Sequence, residues 1–155
     1  MNSDHKFVNK DWGYEIWVEN NEKYCCKHLR VMPNKWCSFH YHKNKKETFY
    51  VIEGELLLVH AKYSDSLAEK IKASHNPRWD WQHDYREKSS LYYDFRTLIL
   101  KKGDSLTIDT GILHTFTSNL PSPCDFVEAS TFHKDSDSYR AVSYTHLTLP
   151  TIYSV

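Results

Sequence analysis

The chain has 155 residues, with 20 Lys plus Arg set against 20 Asp plus Glu. That length suits one domain with a sizeable core, and the balanced charge offers no basic or acidic face for nucleic acid or a membrane surface. Four cysteines without a C-x-x-C pair, no signal-peptide pattern and no apolar run of spanning length predict a reduced, cytoplasmic protein.

Eleven Tyr, seven Phe and five Trp against four Gly favour pleated, half-buried surfaces over helices. Residues 1–10 are polar and are expected to form a flexible N-terminus, followed by a domain over 11–142. After a turn at Gly13, alternation of Tyr14, Ile16 and Val18 begins a strand. A second is expected over 24–32, where Cys25, Lys27, Leu29 and Val31 alternate with Cys26, His28 and Arg30, and Pro33 with Asn34 ends it by turn chemistry. Strands are expected over 37–42, 47–53 and 55–63. The run Leu56 to Val59 reads as buried on both faces, and Ser66 to Glu69 reads as a capping box opening a short helix to about Ala73.

Residues 75–93 are irregular and lengthen one connection far beyond a hairpin, as a lid or an interface loop does. Trp79 and Trp81 within it are candidates for stacking on a sugar face or on a partner subunit, or for attaching the loop to the body. Strands resume over 96–101, 105–109, 114–118 and 125–132. Many short strands with turn signals between them, and hardly any helix, describe an all-β sandwich or small barrel. Residues 143–155 resemble translated adapter sequence and are set aside as a non-native read-through tail.

The chemistry concentrates between Asn34 and Gly54. If the chain is extended there, His40 and His42 leave the same face of a strand, and Glu47 follows five residues on. Two imidazoles and a carboxylate suit a divalent first-row metal. A third histidine, His114, follows the turn glycine Gly111, and Cys37 reads as a core thiol rather than a further ligand.

These two stretches resemble the two cupin motifs. H-x-H, four residues, E, six residues and G fit at His40, His42, Glu47 and Gly54, while Gly103, Gly111 and His114 take the places of the second motif. Asn34 departs from the first motif, where glycine is usual, and Asp109 from the second, where proline is usual. The resemblance implies a single-domain double-stranded β-helix, a jelly-roll barrel, with one metal ion on His40, His42, Glu47 and His114. The block from His40 to Glu47 with Lys45 inside it, and the later E-A-S-T-F-H-K-D-S-D-S-Y-R from Glu128 to Arg140, are similar to the D-lyxose isomerase branch. W-G-Y-E and E-A-S-T are similar to the cupin domain of type II phosphomannose isomerases.

That resemblance implies aldose–ketose isomerisation of a free sugar such as D-lyxose or D-mannose through a cis-enediol, with manganese as the expected ion and zinc, cobalt or iron as alternatives. Glu128 is then the base that carries the proton between C2 and C1, and Lys45 donates to a substrate oxygen. Asp137 and Arg140 hold distal hydroxyls or open the ring. Other readings stay open: Glu128 as a structural ion pair with Arg140, a phosphorylated substrate on Arg78, Arg86, Lys88 and Arg96, an iron-dependent dioxygenase, or a non-catalytic sugar-binding module. His133 reads as a surface imidazole, and Tyr41 should point away from the metal. Bare sheet edges and the habits of cupins imply a homodimer.

Overall fold

A computed structural model of the chain describes residues 4–73 and 95–141. Trp79, Trp81, the basic residues Arg78, Arg86 and Lys88, and the 143–155 tail all lie outside the described residues. Two antiparallel sheets face each other. The larger has the order β1-β2-β3-β10-β5-β8, built from Lys6–Lys10, Gly13–Asn20, Cys25–Val31, Cys124–Ser130, Glu47–Glu53 and Ser105–Ile108. The smaller has the order β11-β4-β9-β6-β7, built from Tyr139–Arg140, His40–Tyr41, Ile112–Ser118, Glu55–Lys62 and Arg96–Lys101. Among the described residues, one α-helix, α1, spans Asp65–Ala73, and a single 3-10 turn covers Asp135–Asp137. This is the all-β jelly-roll arrangement expected of the sequence.

Three expectations need correction. The N-terminus does not fray through residue 10: Lys6–Lys10 pairs with β2 in register from Lys6↔Trp17 to Lys10↔Gly13, and Phe7 packs on Tyr14 with ring centroids 5.0 Å apart. Gly13 lets β2 lie close against β3, because a Cβ there would run into the Arg30 carbonyl oxygen. The metal-bearing strand is only His40–Tyr41 rather than residues 37–42, although the backbone on either side is still held: the Cys37 N–H donates to Phe116 O, and the Ala141 N–H to Phe39 O. The helix starts earlier than the capping-box reading placed it. The Ser64 hydroxyl accepts from the Leu67 N–H at 3.1 Å, so Ser64 is the N-cap.

β3 buries Cys25, Lys27, Leu29 and Val31 and half-exposes the residues between them, as period-2 alternation requires. Two apolar clusters follow from such patterns. One, with Trp12, Leu29, Phe49, Val51, Leu56, Leu58, Phe116 and Phe126, fills part of the space between the sheets. The other, with Phe39, Val59, Leu67, Ile71, Phe95 and Leu113, packs α1 on the outside of the smaller sheet. Leu56 and Leu58 thus face inward while Val59 faces α1, and Leu57, on the outer face, is half-buried rather than enclosed. Beyond the first cluster, along the same inward faces, the side chains change from apolar to polar: His114 follows Phe116, His60 follows Leu58, and Glu128 follows Phe126. The barrel interior therefore has an apolar floor with a polar layer above it.

Candidate metal centre

The polar layer is assembled by register. His40 lies opposite His114 between β4 and β9, and Glu47 enters from the larger sheet at the start of β5. Two glycines shape the approach. Gly54, at φ 81°, has no room for a Cβ, which would stand 2.7 Å from the Pro123 carbonyl oxygen. Gly111, at φ 74°, donates its N–H to His42 O at 2.8 Å and so ties the two ligand-bearing segments together. Asn34, which departs from the usual glycine, takes φ 58°, a left-handed conformation that asparagine tolerates better than most residues.

His40, His42, Glu47 and His114 each present one ligand atom, and the four atoms lie within 4.8 Å of one another. Each imidazole is oriented through its other nitrogen. His40 Nδ1 meets Ser38 O at 2.8 Å, His114 Nδ1 meets Ile112 O at 2.8 Å, and His42 Nδ1 meets Asp137 O at 2.9 Å. A carbonyl only accepts, so each Nδ1 carries the proton and each neutral ring turns the lone pair of Nε2 outward. Those of His114 and His42 face Glu47 Oε1 at 2.8 and 3.5 Å. Lone pair then meets lone pair, and His42 Nε2, His114 Nε2 and Glu47 Oε1 are all buried without a hydrogen-bond partner. Such orphans would each cost about 1–3 kcal/mol. A divalent cation with bonds of about 2.1 Å satisfies them together, so the residues fit the metal that the spacing predicts.

Electrostatics lean the same way. Burial, with the neighbouring His114 and His42, pushes His40 well below the ordinary imidazole range and keeps it neutral. Burial alone would raise the Glu47 carboxyl, but its close neighbours, the Lys45 ammonium among them, hold it well below the ordinary carboxylate range. Cys37 is no further ligand. Its Sγ lies 3.7 Å from His40 Nδ1, the side already protonated, and burial pushes the thiol far up, so it stays a thiol.

Beside the four ligands, Lys45 Nζ bridges two carboxylates, at 2.9 Å from Glu47 and 2.7 Å from Glu128. Burial works against its charge, but Glu128 and Glu47 more than offset that and raise Lys45 above the usual lysine value. Glu128 therefore pairs with Lys45, while Arg140 lies in another sheet, opposite His40, with an exposed side chain. Ser130 Oγ also donates to Glu128, at 3.1 Å. Asp137 differs from expectation. Its carboxylate accepts the backbone N–H groups of Lys43, Asn44 and Lys45 at 2.9–3.2 Å, so it shapes the ligand-bearing turn and has little left for a sugar hydroxyl. Tyr41 points away from the centre, stacked on Tyr63 at 4.2 Å.

One buried residue differs from its expectation, and two further groups were not singled out as site residues in the sequence. His133 is no surface imidazole: it is 9% exposed, accepts from Lys45 Nζ at 3.3 Å and donates to Asp135 at 3.0 Å. Lys27, 1% exposed, stands opposite Glu128 in the β3–β10 register, 3.3 Å from Glu15 and over the Trp17 ring. Its place in the phase of Cys25, Leu29 and Val31 was the available signal. His60 lies in the phase of Leu56 and Leu58, and its Nε2 is buried without a partner among the described residues.

Two facing antiparallel sheets around a three-histidine, one-glutamate centre define a metal-binding cupin. More narrowly, the chain belongs to the D-lyxose isomerase family, whose model matches residues 13–146. No curated protein matches the chain in sequence. Among solved structures, it is similar to the capsular polysaccharide assembling protein CapF from Staphylococcus aureus, with 12% identity and a TM-score of 0.64 over 90% of this chain and 32% of that one. It is also similar to an oxalate decarboxylase from Lactobacillus farciminis, with 15% identity and a TM-score of 0.59 over 89% of this chain and 34% of that one. KdgF from Halomonas sp. aligns at 10% identity and a TM-score of 0.58, over 88% of this chain and 94% of that one. The chain thus spans about a third of the CapF and oxalate decarboxylase chains. At these identities the likeness shows the cupin fold. Among the described residues, no helix is long and apolar enough to cross a membrane.

Proposed function

We propose that the chain is a metal-dependent aldose–ketose isomerase acting on a free sugar such as D-lyxose or D-mannose. The observation that carries this reading is the placement of Glu128. It is buried beside the metal centre without being a ligand, and Lys45 links it to the ligand Glu47 at 2.7 and 2.9 Å. A base next to the ion is what moving a proton between adjacent carbons requires. When bound, a divalent ion, with manganese the expected one, polarises the sugar carbonyl as a Lewis acid.

The chain's own residues supply the proton transfers. The Glu128 carboxylate takes the proton from C2 of the open aldose, leaving a cis-enediol, and returns it to C1 to give the ketose. The Lys45 ammonium, held protonated between two carboxylates, donates a hydrogen bond to the substrate oxygen on which negative charge develops. The oxygen-bound proton moves from O2 to O1, so no oxidant or reductant is consumed. Arg140, opposite His40 at the β11 edge of the smaller sheet, is assigned to opening the sugar ring. Asp137 acts through the turn that it holds.

The test is solvent deuterium entering C1 and C2 of D-lyxose, D-mannose and mannose 6-phosphate, followed by NMR with Mn(II)-loaded protein. Exchange into a free sugar supports the reading. Exchange only into mannose 6-phosphate moves the substrate to the phosphorylated class, for which Arg96 is the described candidate. Oxygen uptake with Fe(II) and no exchange replaces the reading with a dioxygenase. We also propose a homodimer. Phe7, Ile16, His28, Val127 and Tyr50 form one row across the outer face of the larger sheet, and Phe7 and Tyr50 are 54% and 49% exposed, an apolar surface for a second copy.

A further inference from the structure

The smaller sheet carries a row of basic side chains through the metal centre. Its registers pair Arg140 with His40, His40 with His114, His114 with His60, and His60 with Arg96. Residues directly opposite in antiparallel strands share a face, so His60 stands on the same inward face as the ligand His114, about 5 Å from it across the strands. It is not among the four ligands grouped within 4.8 Å. Its Nε2 is nevertheless buried and has no hydrogen-bond partner among the described residues.

A buried, unpaired imidazole nitrogen on this half-buried side chain needs an explanation. Leu58 and Leu56 precede it on the same face and are fully buried, so another apolar residue would have continued the floor at no polar cost. A neutral imidazole nitrogen, as either donor or acceptor, matches a sugar hydroxyl, which also does both. The lateral step from His114 to His60 is about the distance from a metal-held carbon pair to a hydroxyl two carbons further along an open sugar.

We infer that His60 is a substrate-binding residue that takes a sugar hydroxyl beyond the reacting C1–C2 pair, on the β7 side of the metal centre. The inference rests on the isomerase reading and adds the direction in which the sugar lies, from the metal toward Arg96.

The experiment uses Mn(II)-loaded protein and two unreactive polyols, D-arabinitol and D-mannitol, whose binding is measured by calorimetry for the parent, His60→Leu and His60→Gln. Manganese affinity is measured separately by electron paramagnetic resonance. The expected result is manganese affinity within about twofold of the parent, polyol binding weakened about 5- to 30-fold in His60→Leu, and partial recovery in His60→Gln. Equal polyol binding in the parent and His60→Leu overturns the inference and leaves the isomerase reading standing. A tenfold loss of manganese affinity in His60→Leu also overturns it, by placing the imidazole in the metal shell. If the loaded parent binds neither polyol and exchanges no sugar, the isomerase reading fails and the inference with it. Unfolding of His60→Leu is checked by circular dichroism, and His60→Gln alone then decides: a weakening of less than twofold overturns the inference.

Discussion

At the scale of single residues, the centre sets four groups that could hold an ion beside two, Glu128 and Lys45, that are proposed to serve proton transfer. Glu128→Gln keeps the volume and the Ser130 contact but removes the base. Deuterium exchange at C2 is expected to fall about 10²- to 10⁴-fold while manganese binding stays within a fewfold. Loss of manganese instead would make Glu128 part of the metal site. Lys45→Met has a different signature. It leaves Glu47 and Glu128 buried without the cation between them, and unfolding free energy should fall by about 3–5 kcal/mol in urea titrations. Because partners raise Lys45 above its ordinary value, its stabilisation is complete below the unfolded lysine pKa and is lost only as pH rises past the folded one. The Lys45→Met deficit should therefore be constant from neutral pH to about pH 10.

At the scale of elements, the turn between β4 and β5 depends on a carboxylate far along the chain. The Asp137 side chain takes three successive N–H groups of residues 43–45, and these bonds, working against burial, hold it below its ordinary value. A depressed carboxyl stabilises above its unfolded pKa and loses that contribution as pH falls through the folded one. Asp137→Asn should thus cost about 1–3 kcal/mol at pH 7, with the difference from the parent shrinking below about pH 4 in thermal melts. The same turn shows what the sequence disclosed. His40, His42, Glu47 and His114 were legible because ligand spacing on alternating strands is a local pattern, and most strand limits followed from period-2 alternation. The contacts of Asp137 and His133 were not legible, since they depend on how the segment after β10 folds back over residues 43–45. Lys27 and Glu15 were hidden for another reason. Their burial is set by each other and by Trp17, and a charge in an apolar phase reads as solvated until its partner is known.

At the scale of the whole molecule, the apolar floor gives the barrel a core independent of the ion, while the polar layer would bind an ion only when folded. Chelation is therefore expected to lower the melting temperature without unfolding the protein at 25 °C, with manganese at about 100 times its Kd restoring roughly 2.7 kcal/mol. Unfolding on chelation would mean that the floor alone does not hold the sheets. Sedimentation should give a dimer for the parent and a monomer for Phe7→Glu, and a monomeric parent would remove the outer-face contact. The three imidazoles are aimed by carbonyls of residues 38, 112 and 137, atoms that every amino acid carries. Sequence drift at Ser38 or Ile112 thus cannot delete the anchors, and Ser38→Ala or Ile112→Val should leave manganese affinity within about twofold. What must be inherited for the aim of the ligands is the path of the main chain, so lineages of this barrel are free to change the names of those residues while keeping the direction of every nitrogen.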